Sequence, residues 1–501
     1  MIFSSFEFIY LFFPVTFAGF LLLRYWRSEM GIILWLIAAS LVFYAYWNPP
    51  YLFLLMASVG FNYALHLHIS KYHDPWVLGF GISANLGAIG YYKYAGFFSG
   101  TMNALSGSQF ELGDIALPLA ISFFTFQQIA FLVESYRGHI EECGFAKYTL
   151  FVVFFPQLIA GPIVMQRDTV PQFHMAVFQN RLALNVAVGL SIFIICLFKK
   201  LVLADSAAPY ATAVFSLADA GEEIPFSMAW SGALAYTFQI YFDFSGYCDM
   251  AIGLARCFGI RLPINFNSPY KAVDIVDFWR RWHITLSHFL RDYLYIPLGG
   301  SRAGKVQRYL NLSITMLLGG LWHGASWTFV VWGGLHGVYL MINHAWSAHR
   351  KSQGRAVSPL GRIMGRALTL VAVIFAWVFF RAETFGGAAS VATGMIGLNG
   401  FAGVGEVPQA LAAVARGVPA SFVWFIPLTF VVLALPNTAE LAASYRPTLY
   451  FRKALGLNNW KPRNGRWSVL SKWRPTPVRV GSLSVMAVIG IAQMYRLGEL
   501  S

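Results

Sequence analysis

The decisive stretch of this sequence is Gly319-Gly320-Leu321-Trp322-His323-Gly324-Ala325-Ser326-Trp327. It places the ionisable imidazole of His323 inside a mostly apolar run that extends from Asn311 to Trp346. Polar groups at membrane depth are costly and usually serve a function, and histidine can take up and return a proton near neutral pH. The flanking glycines let other backbone or a substrate approach the ring. A structural histidine bonded to backbone is the alternative, and His323 is the first candidate for chemistry.

The composition is that of a membrane protein. Of the 501 residues, 57% are hydrophobic and 12% are charged, and the mean hydropathy is +0.57. A soluble protein would contain about 25% charged residues. The net charge of +14 is carried by residues that flank the apolar runs and form no single basic patch. We therefore expect contact with anionic membrane lipids and no binding of nucleic acid.

Apolar runs close to the roughly 20 residues needed to cross a bilayer recur along the sequence. We predict membrane segments at 6–23, 30–47, 51–69, 76–98, 115–134, 147–165, 182–204, 227–258, 365–384, 421–437 and 479–496. The run 311–346 is too long for one crossing, and it predicts a broken or doubled-back pair of helices. The expected fold class is an all-α integral membrane protein with about 11–13 transmembrane or re-entrant helices, in one domain over residues 1–501.

The first apolar run is interpreted as a retained helix. It lacks a basic n-region, and no small-residue cleavage site precedes Arg24, so it does not match a signal peptide. The four cysteines, Cys143, Cys196, Cys248 and Cys257, show no metal-ligand or redox spacing. We predict no metal site.

The distribution of Lys and Arg predicts the topology. The loops 99–115, 205–226 and 396–415 are nearly free of these residues, whereas 256–308, 350–366 and 446–479 are rich in them. The positive-inside rule then puts the basic loops in the cytoplasm and the N-terminus in the periplasm. The loop 166–181 carries Arg167 and Arg181, which fits this topology only if 147–165 is re-entrant.

The segment from Asp277 to Tyr293 differs from an ordinary loop. Its apolar residues recur at helical spacing, and they are Trp282, Leu286, Phe289, Leu290 and Tyr293. This pattern predicts one amphipathic helix in the membrane interface, within a cytoplasmic segment 260–310. His283 would lie near the edge of the apolar face, one turn from Trp279 and Ser287. Interfacial anchoring alone accounts for the tryptophans and arginines, but it accounts less well for the histidine.

Several motifs of the chain match one known family. They are Trp279-Arg280-Arg281-Trp282-His283, Thr285-Leu286-Ser287, Arg291-Asp292-Tyr293, Tyr295-Ile296-Pro297-Leu298-Gly299-Gly300, Gly320-Leu321-Trp322-His323-Gly324, Tyr241-Phe242-Asp243-Phe244-Ser245-Gly246-Tyr247, Asn265-Phe266-Asn267-Ser268-Pro269-Tyr270 and Phe155-Pro156-Gln157-Leu158-Ile159-Ala160-Gly161-Pro162. By these motifs the chain resembles the membrane-bound O-acyltransferase family. Within the family it is most similar to the bacterial branch that contains the membrane subunits of alginate O-acetylation. The resemblance covers nearly the whole chain.

The resemblance implies a helical bundle around a central funnel, in the bacterial inner membrane. It implies an essential histidine at His323 and a second polar site residue at His283. It further implies acetyl-CoA as the acyl donor without a bound cofactor, and periplasmic partner proteins of a polysaccharide-modification complex. The expected function is relay of acetyl groups across the membrane for O-acetylation of an exported polysaccharide, with alginate as the expected acceptor.

Acyl transfer from a thioester suggests a role for each candidate residue. His323 would act as the general base toward the acceptor hydroxyl. His283, or backbone N–H groups near Gly319 and Gly320, would stabilise the oxyanion. The candidate contacts for donor or substrate are Arg280, Arg281, Arg291, Arg302, Trp322 and Ser326. Contact with lipid headgroups is the alternative for the arginines.

Other functions remain open at this point. D-alanyl transfer to teichoic acid and acetylation of cellulose or peptidoglycan use the same chemistry on different acceptors. A transporter of polysaccharide or acyl groups without chemistry of its own is the alternative from a different class. Many transporters contain paired repeats, and the sequence has no such pairing.

Overall fold

A computed structural model describes residues 1–110, 112–113, 115–140, 143–302, 304–354, 357–401, 409–450 and 476–498. Within these ranges the chain is mainly helical and contains no β-strand. The predicted all-α fold class is therefore confirmed. The predicted loop 396–415 and the basic stretch 446–479 lie partly outside the described residues.

Long apolar helices make up most of the structure. Their bounds are Phe13–Tyr25, Glu29–Ala45, Tyr51–Tyr72, Pro75–Ile89, Ala95–Ser106, Ile121–Tyr136, Leu182–Phe198, Asp205–Asp219, Phe226–Cys257, Lys305–His323, Trp327–Ser352, Pro359–Arg381, Phe385–Met395, Gln409–Ala434 and Pro477–Gly498. The short π-helical stretch Glu7–Phe12 extends the first helix, and those at Gly90–Tyr94 and Lys199–Ala204 each join two helices.

Five helices in the described part of the chain are long and apolar enough to cross a membrane. They are Glu7–Tyr25, Tyr51–Tyr72, Leu182–Asp219, Pro359–Arg381 and Pro477–Arg496. Each exceeds or approaches the roughly 20 residues that a bilayer requires. The chain is accordingly a multi-pass membrane protein, and the orientation of its N-terminus stays a prediction.

The chain forms two compact units. The first consists of Met1–Leu197, Tyr247–Ile264 and Thr438–Ser501. Its core is aromatic: Phe8, Phe43 and Phe155 are fully buried, with ring centroids 5.6–6.2 Å apart. Aromatic rings bury large apolar areas and favour such edge-on and tilted packing.

The predicted span 147–165 is not one helix. The structure has a nine-residue helix, Phe145–Val153, and a four-residue helix, Phe155–Leu158. At 1.5 Å per residue, neither could cross a bilayer. The chain breaks at Phe154, which has non-helical backbone, and Pro156 lies in the first turn of the second helix, where a residue without an N–H is tolerated.

The second unit consists of Phe198–Gly246 and Asn265–Asn437, and it holds both candidate histidines. Its run 311–346 was predicted to be a broken pair of helices, and this prediction is confirmed. Helix Lys305–His323 ends at the candidate histidine, and helix Trp327–Ser352 begins after three residues. The hydroxyl of Ser326 accepts a hydrogen bond from the Thr328 N–H and caps the second helix.

Two glycines allow the helix pair to pack at close range. A Cβ atom on Gly320 would overlap the carbonyl oxygen of Phe329, and one on Gly333 would overlap that of Met316. Only glycine permits backbone to approach so closely here. Gly320 thus admits neighbouring backbone to its own helix, whereas close approach to the His323 ring stays a prediction.

The predicted loop 205–226 is mostly helical, which corrects the sequence interpretation. Helix Asp205–Asp219 continues the preceding helix through the π-helical stretch. The ammonium of Lys200 lies 2.7 Å from a carboxylate oxygen of Asp205 and 2.7 Å from one of Asp243. This contact offsets part of the acidic charge at the point where the helix continues beyond the apolar span.

Candidate active site

His323 occupies the last position of helix Lys305–His323, where it is partly exposed. Three aromatic rings surround its imidazole edge-on, with centroid distances of 4.9 Å to Trp322, 5.1 Å to Trp332 and 5.1 Å to Phe380. The helix ends here because Gly324 adopts extended backbone. The imidazole therefore sits at an interruption of the apolar run, inside an aromatic wall.

His283 lies at a break between two short helices, Ile275–Trp279 and Ile284–Leu290. Its φ of +41° is left-handed, a region that residues other than glycine seldom occupy. The side chain is fully buried. Strained backbone of this kind clusters at functional sites, although seven other non-glycine residues in the described part of the chain share it.

The prediction of one continuous amphipathic helix over 277–293 is wrong. The backbone around His283 bonds to a distant segment instead of to its own preceding turn. The N–H of Ile284 donates to the carbonyl of Asn265 at 3.0 Å, and the N–H of Asn267 donates to the carbonyl of Arg281 at 2.9 Å. These two bonds replace helical ones, so His283 is not one turn from Trp279.

The side chain of Asn265 completes this arrangement. Its Oδ1 lies 3.2 Å from the Nδ1 of His283, 3.2 Å from the backbone N of Thr285 and 2.9 Å from the Thr285 hydroxyl. Asn265 is fully buried. Asn265 belongs to one of the family motifs, but nothing in the local sequence pattern indicates that it meets His283.

Burial also sets the charge of His283, which lies outside the five candidate spans. Removal from water disfavours the imidazolium and lowers the pKa of His283 to about 3. The ring is therefore neutral near pH 7. Its Nε2 has no hydrogen-bond partner within the part of the chain that the structure describes.

The structure brings the two candidate histidines together. Their ring centroids are 6.3 Å apart, and the Trp322 ring lies 6.1 Å from that of His283. A direct ring-to-ring hydrogen bond needs nitrogens about 2.7–3.2 Å apart, and this centroid separation is too large for one. The two rings are near enough for one bound substrate to contact both.

The candidate arginines do not converge on the histidines. Arg281 pairs with Asp277 at 2.8 Å, and Arg291 pairs with Asp292 through two bonds of 2.6 and 2.9 Å. Arg280 and Arg302 are exposed. The first pair holds the short-helix segment in place. Arg291 is also exposed but pairs with Asp292, so Arg280 and Arg302 remain the candidates for an external anion.

The remaining candidates flank His323. Trp322 is buried and contributes to the aromatic wall. The Ser326 hydroxyl caps a helix, and it also lies 3.0 Å from the hydroxyl of Thr328. In this structure Ser326 therefore supports the start of the second helix. No cluster of metal-ligand side chains occurs among the described residues.

These observations define a class of protein: a helical membrane protein with a pair of histidines set among aromatic rings. Comparison with known proteins agrees with this class and narrows it. Residues 17–381 match the model of the MBOAT, membrane-bound O-acyltransferase, family. The chain belongs to this family, and it is an acyltransferase.

Individual relatives cover most of the chain. It is 46% identical to the peptidoglycan O-acetyltransferase of Helicobacter pylori, over 80% of each chain. It is 42% identical to the probable alginate O-acetylase AlgI of Azotobacter vinelandii, over 76% of this chain and 75% of that protein. It is 27% identical to a teichoic acid D-alanyltransferase of Streptococcus thermophilus, over 47% of this chain and 58% of that protein.

Proposed function

We propose that the chain takes acetyl groups from acetyl-CoA on the cytoplasmic side of the inner membrane and passes them outward for O-acetylation of a polysaccharide. The observation that carries this proposal is the placement of His283 and His323 with centroids 6.3 Å apart among aromatic rings. The relatives at 46% and 42% identity, both named for O-acetylation, support acetyl as the acyl group.

The transfer step needs one base and a thioester. His323 takes the proton of the acceptor hydroxyl as the hydroxyl oxygen attacks the thioester carbonyl carbon. The C–O bond forms, the tetrahedral intermediate collapses and the C–S bond breaks. The proton then passes from the His323 imidazolium to the departing thiolate, so that the products are an ester and a free thiol.

His323 is better suited than His283 to act as the base. A base works best with a pKa near the operating pH, whereas burial lowers the pKa of His283 to about 3. His283 instead offers the lone pair of Nε2 to an O–H or N–H group of the bound substrate. The backbone N–H groups of Gly319 and Gly320 lie within a helix and bond to its preceding turn, which argues against their use for the oxyanion.

The donor enters from the side that carries the basic residues. The positive-inside rule puts the segment 260–310 in the cytoplasm and the N-terminus in the periplasm. Arg280 and Arg302 are exposed on this segment and would contact the phosphates of coenzyme A. Arg281 and Arg291 already pair with neighbouring carboxylates, so we give them a structural role.

The acceptor polymer is alginate or the glycan of peptidoglycan. Alginate is the acceptor that we expected from the sequence motifs, and the relative at 46% identity, named for peptidoglycan, supports the second. Deletion of the gene, followed by measurement of ester-linked acetate on each polymer, separates the two. If the parent strain makes the protein and the deletion leaves the acetate of both polymers unchanged, the proposed function is overturned.

A further inference from the structure

We propose that Asn265 is a positioning residue that holds the proton of His283 on Nδ1 and thereby presents Nε2 as a hydrogen-bond acceptor to the substrate. This inference rests on the proposed acyl transfer. Asn265 precedes the histidine by 18 residues within the same segment of the second unit, and neither residue is exposed. The hydrogen-bond donors around Asn265 determine the orientation of its side-chain amide.

The backbone N–H of Thr285 identifies the amide atom that faces it. A backbone N–H can only donate a hydrogen bond, so the Asn265 atom 3.2 Å away must be the acceptor, Oδ1. The Thr285 hydroxyl, 2.9 Å from the same atom, donates as well. The reverse placement of the amide would set its NH2 group against the N–H.

The orientation of Asn265 in turn decides the tautomer of His283. Nδ1 lies 3.2 Å from the same oxygen, which has no hydrogen to give, so Nδ1 must carry the proton. A neutral imidazole has one N–H and one lone pair, and the bond made by one nitrogen determines the state of the other. Nε2 is therefore the acceptor.

The backbone keeps this contact in register. The Asn265 carbonyl accepts from Ile284, the residue after the histidine, and Asn267 bonds to Arg281, two residues before the histidine. The Phe244 ring lies edge-on to the imidazole at 4.9 Å. His283 is thus held by backbone on both sides and by a ring, and Asn265 supplies the polar contact that selects its proton position.

Substitution of Asn265 by Asp tests the inference. The carboxylate can accept the same three hydrogen bonds, but its charge favours the imidazolium and should offset the lowering by burial, so that the pKa of His283 returns to the range of an ordinary imidazole or above. Protonation removes the Nε2 lone pair. We expect Asn265→Asp to be active at alkaline pH and to lose activity on acidification at a higher pH than the wild type does.

Two further variants complete the experiment. Asn265→Leu removes the acceptor and should lower kcat/KM more than about tenfold at every pH. Asn180→Asp is the control, because it introduces the same charge at an exposed asparagine that takes no part in the arrangement around His283. Its pH profile should coincide with that of the wild type.

Activity is measured as thiol release from acetyl-CoA in membranes that contain the acceptor, normalised to folded protein. An unmoved pH profile in Asn265→Asp, or full activity in Asn265→Leu, would overturn the inference while the wild-type enzyme stays active. Absence of thiol release by the wild type would instead overturn the proposed function.

Discussion

The imidazole rings of His323 and His283 lie with their centroids 6.3 Å apart, although the two residues stand at the ends of different helices. His323 ends one helix, and His283 precedes another in left-handed backbone. Two breaks in regular structure therefore meet at one point. Helix ends leave backbone N–H and C=O groups without partners inside the helix. A point where two helix ends meet is therefore suitable for binding a substrate.

We expect His323→Ala to reduce acetyl transfer by about two to four orders of magnitude, because loss of a general base typically has an effect of that size. Its abundance in the membrane should remain near that of the wild type, since the side chain is partly exposed. Polymer acetylation in a deletion strain measures the effect. His349→Ala, an exposed histidine of the second helix, is the control. Normal acetylation in His323→Ala would rule out the base assignment.

Substitutions of His283 should separate hydrogen bonding from charge. His283→Gln retains an acceptor oxygen and should keep part of the activity, whereas His283→Ala should lose at least about tenfold. Because burial lowers the pKa of His283 to about 3, the ring remains neutral as the pH falls from 7 toward that value. The acid side of the wild-type pH profile should therefore persist in His283→Gln. Its disappearance would show that His283 titrates in that range.

Close packing of the helix pair predicts contrasting effects of alanine at two adjacent glycines. Gly333→Ala should destabilise the protein by about 1–3 kcal/mol, since the new Cβ would overlap the carbonyl of Met316. Gly334→Ala should be neutral or stabilising, because its Cβ would meet only Leu317 Cδ2 at 3.5 Å. Thermal denaturation in detergent compares the two variants. Equal melting temperatures would contradict this account of the packing.

Local patterns in the sequence predict part of this site and not the rest. The break after His323 was foreseeable, because Gly324 and Ser326 interrupt a run too long for one crossing. The break at His283 was not, since the apolar spacing continues from Trp282 to Tyr293 as if the helix were unbroken. The competing hydrogen bonds come from Asn265, which is close in space but separate along the chain. Periodicity describes a segment alone and contains no information on such partners.

Charge patterns have a similar limit. The scarcity of Lys and Arg in 205–226 predicts the side of the membrane, but it does not predict conformation, and most of that segment is helical. The contact of Lys200 with two carboxylates depends on the packing of the helices, which the charge pattern of one segment does not describe. Proximity of His283 to His323 was implied by the family resemblance, not by their spacing.

Labelling from outside the cell should establish the orientation. In a variant lacking the four native cysteines, all of which are buried, we expect a cysteine at Ser301 to resist a membrane-impermeant thiol reagent on intact cells. Cysteines at Ser108 and Glu223, both exposed positions in the predicted periplasmic segments, should react. Permeabilised cells provide the positive control for Ser301. Reaction of that cysteine in intact cells would reverse the proposed topology and the side of donor entry.

The final prediction concerns the route of the acetyl group. A polymer outside the cytoplasm has no access to cytoplasmic acetyl-CoA, so the acetyl group must cross the membrane before it reaches a sugar hydroxyl. We expect the purified chain to need a periplasmic partner protein that receives the acetyl group and modifies the polymer. The predicted outer loop 396–415 is the candidate docking region, and its residues 402–408 lie outside the described part of the chain.

Reconstitution in lipid vesicles tests this relay. Labelled acetyl-CoA is supplied on the side of Ser301, and the polymer is supplied on the opposite side, with and without the partner. Label should enter the polymer only when the partner is present. His323→Ala should block this labelling even with the partner, because the partner and the acetyl-CoA are on opposite sides of the membrane. Efficient labelling of the polymer by the chain alone would exclude the relay and would place the complete reaction in this protein.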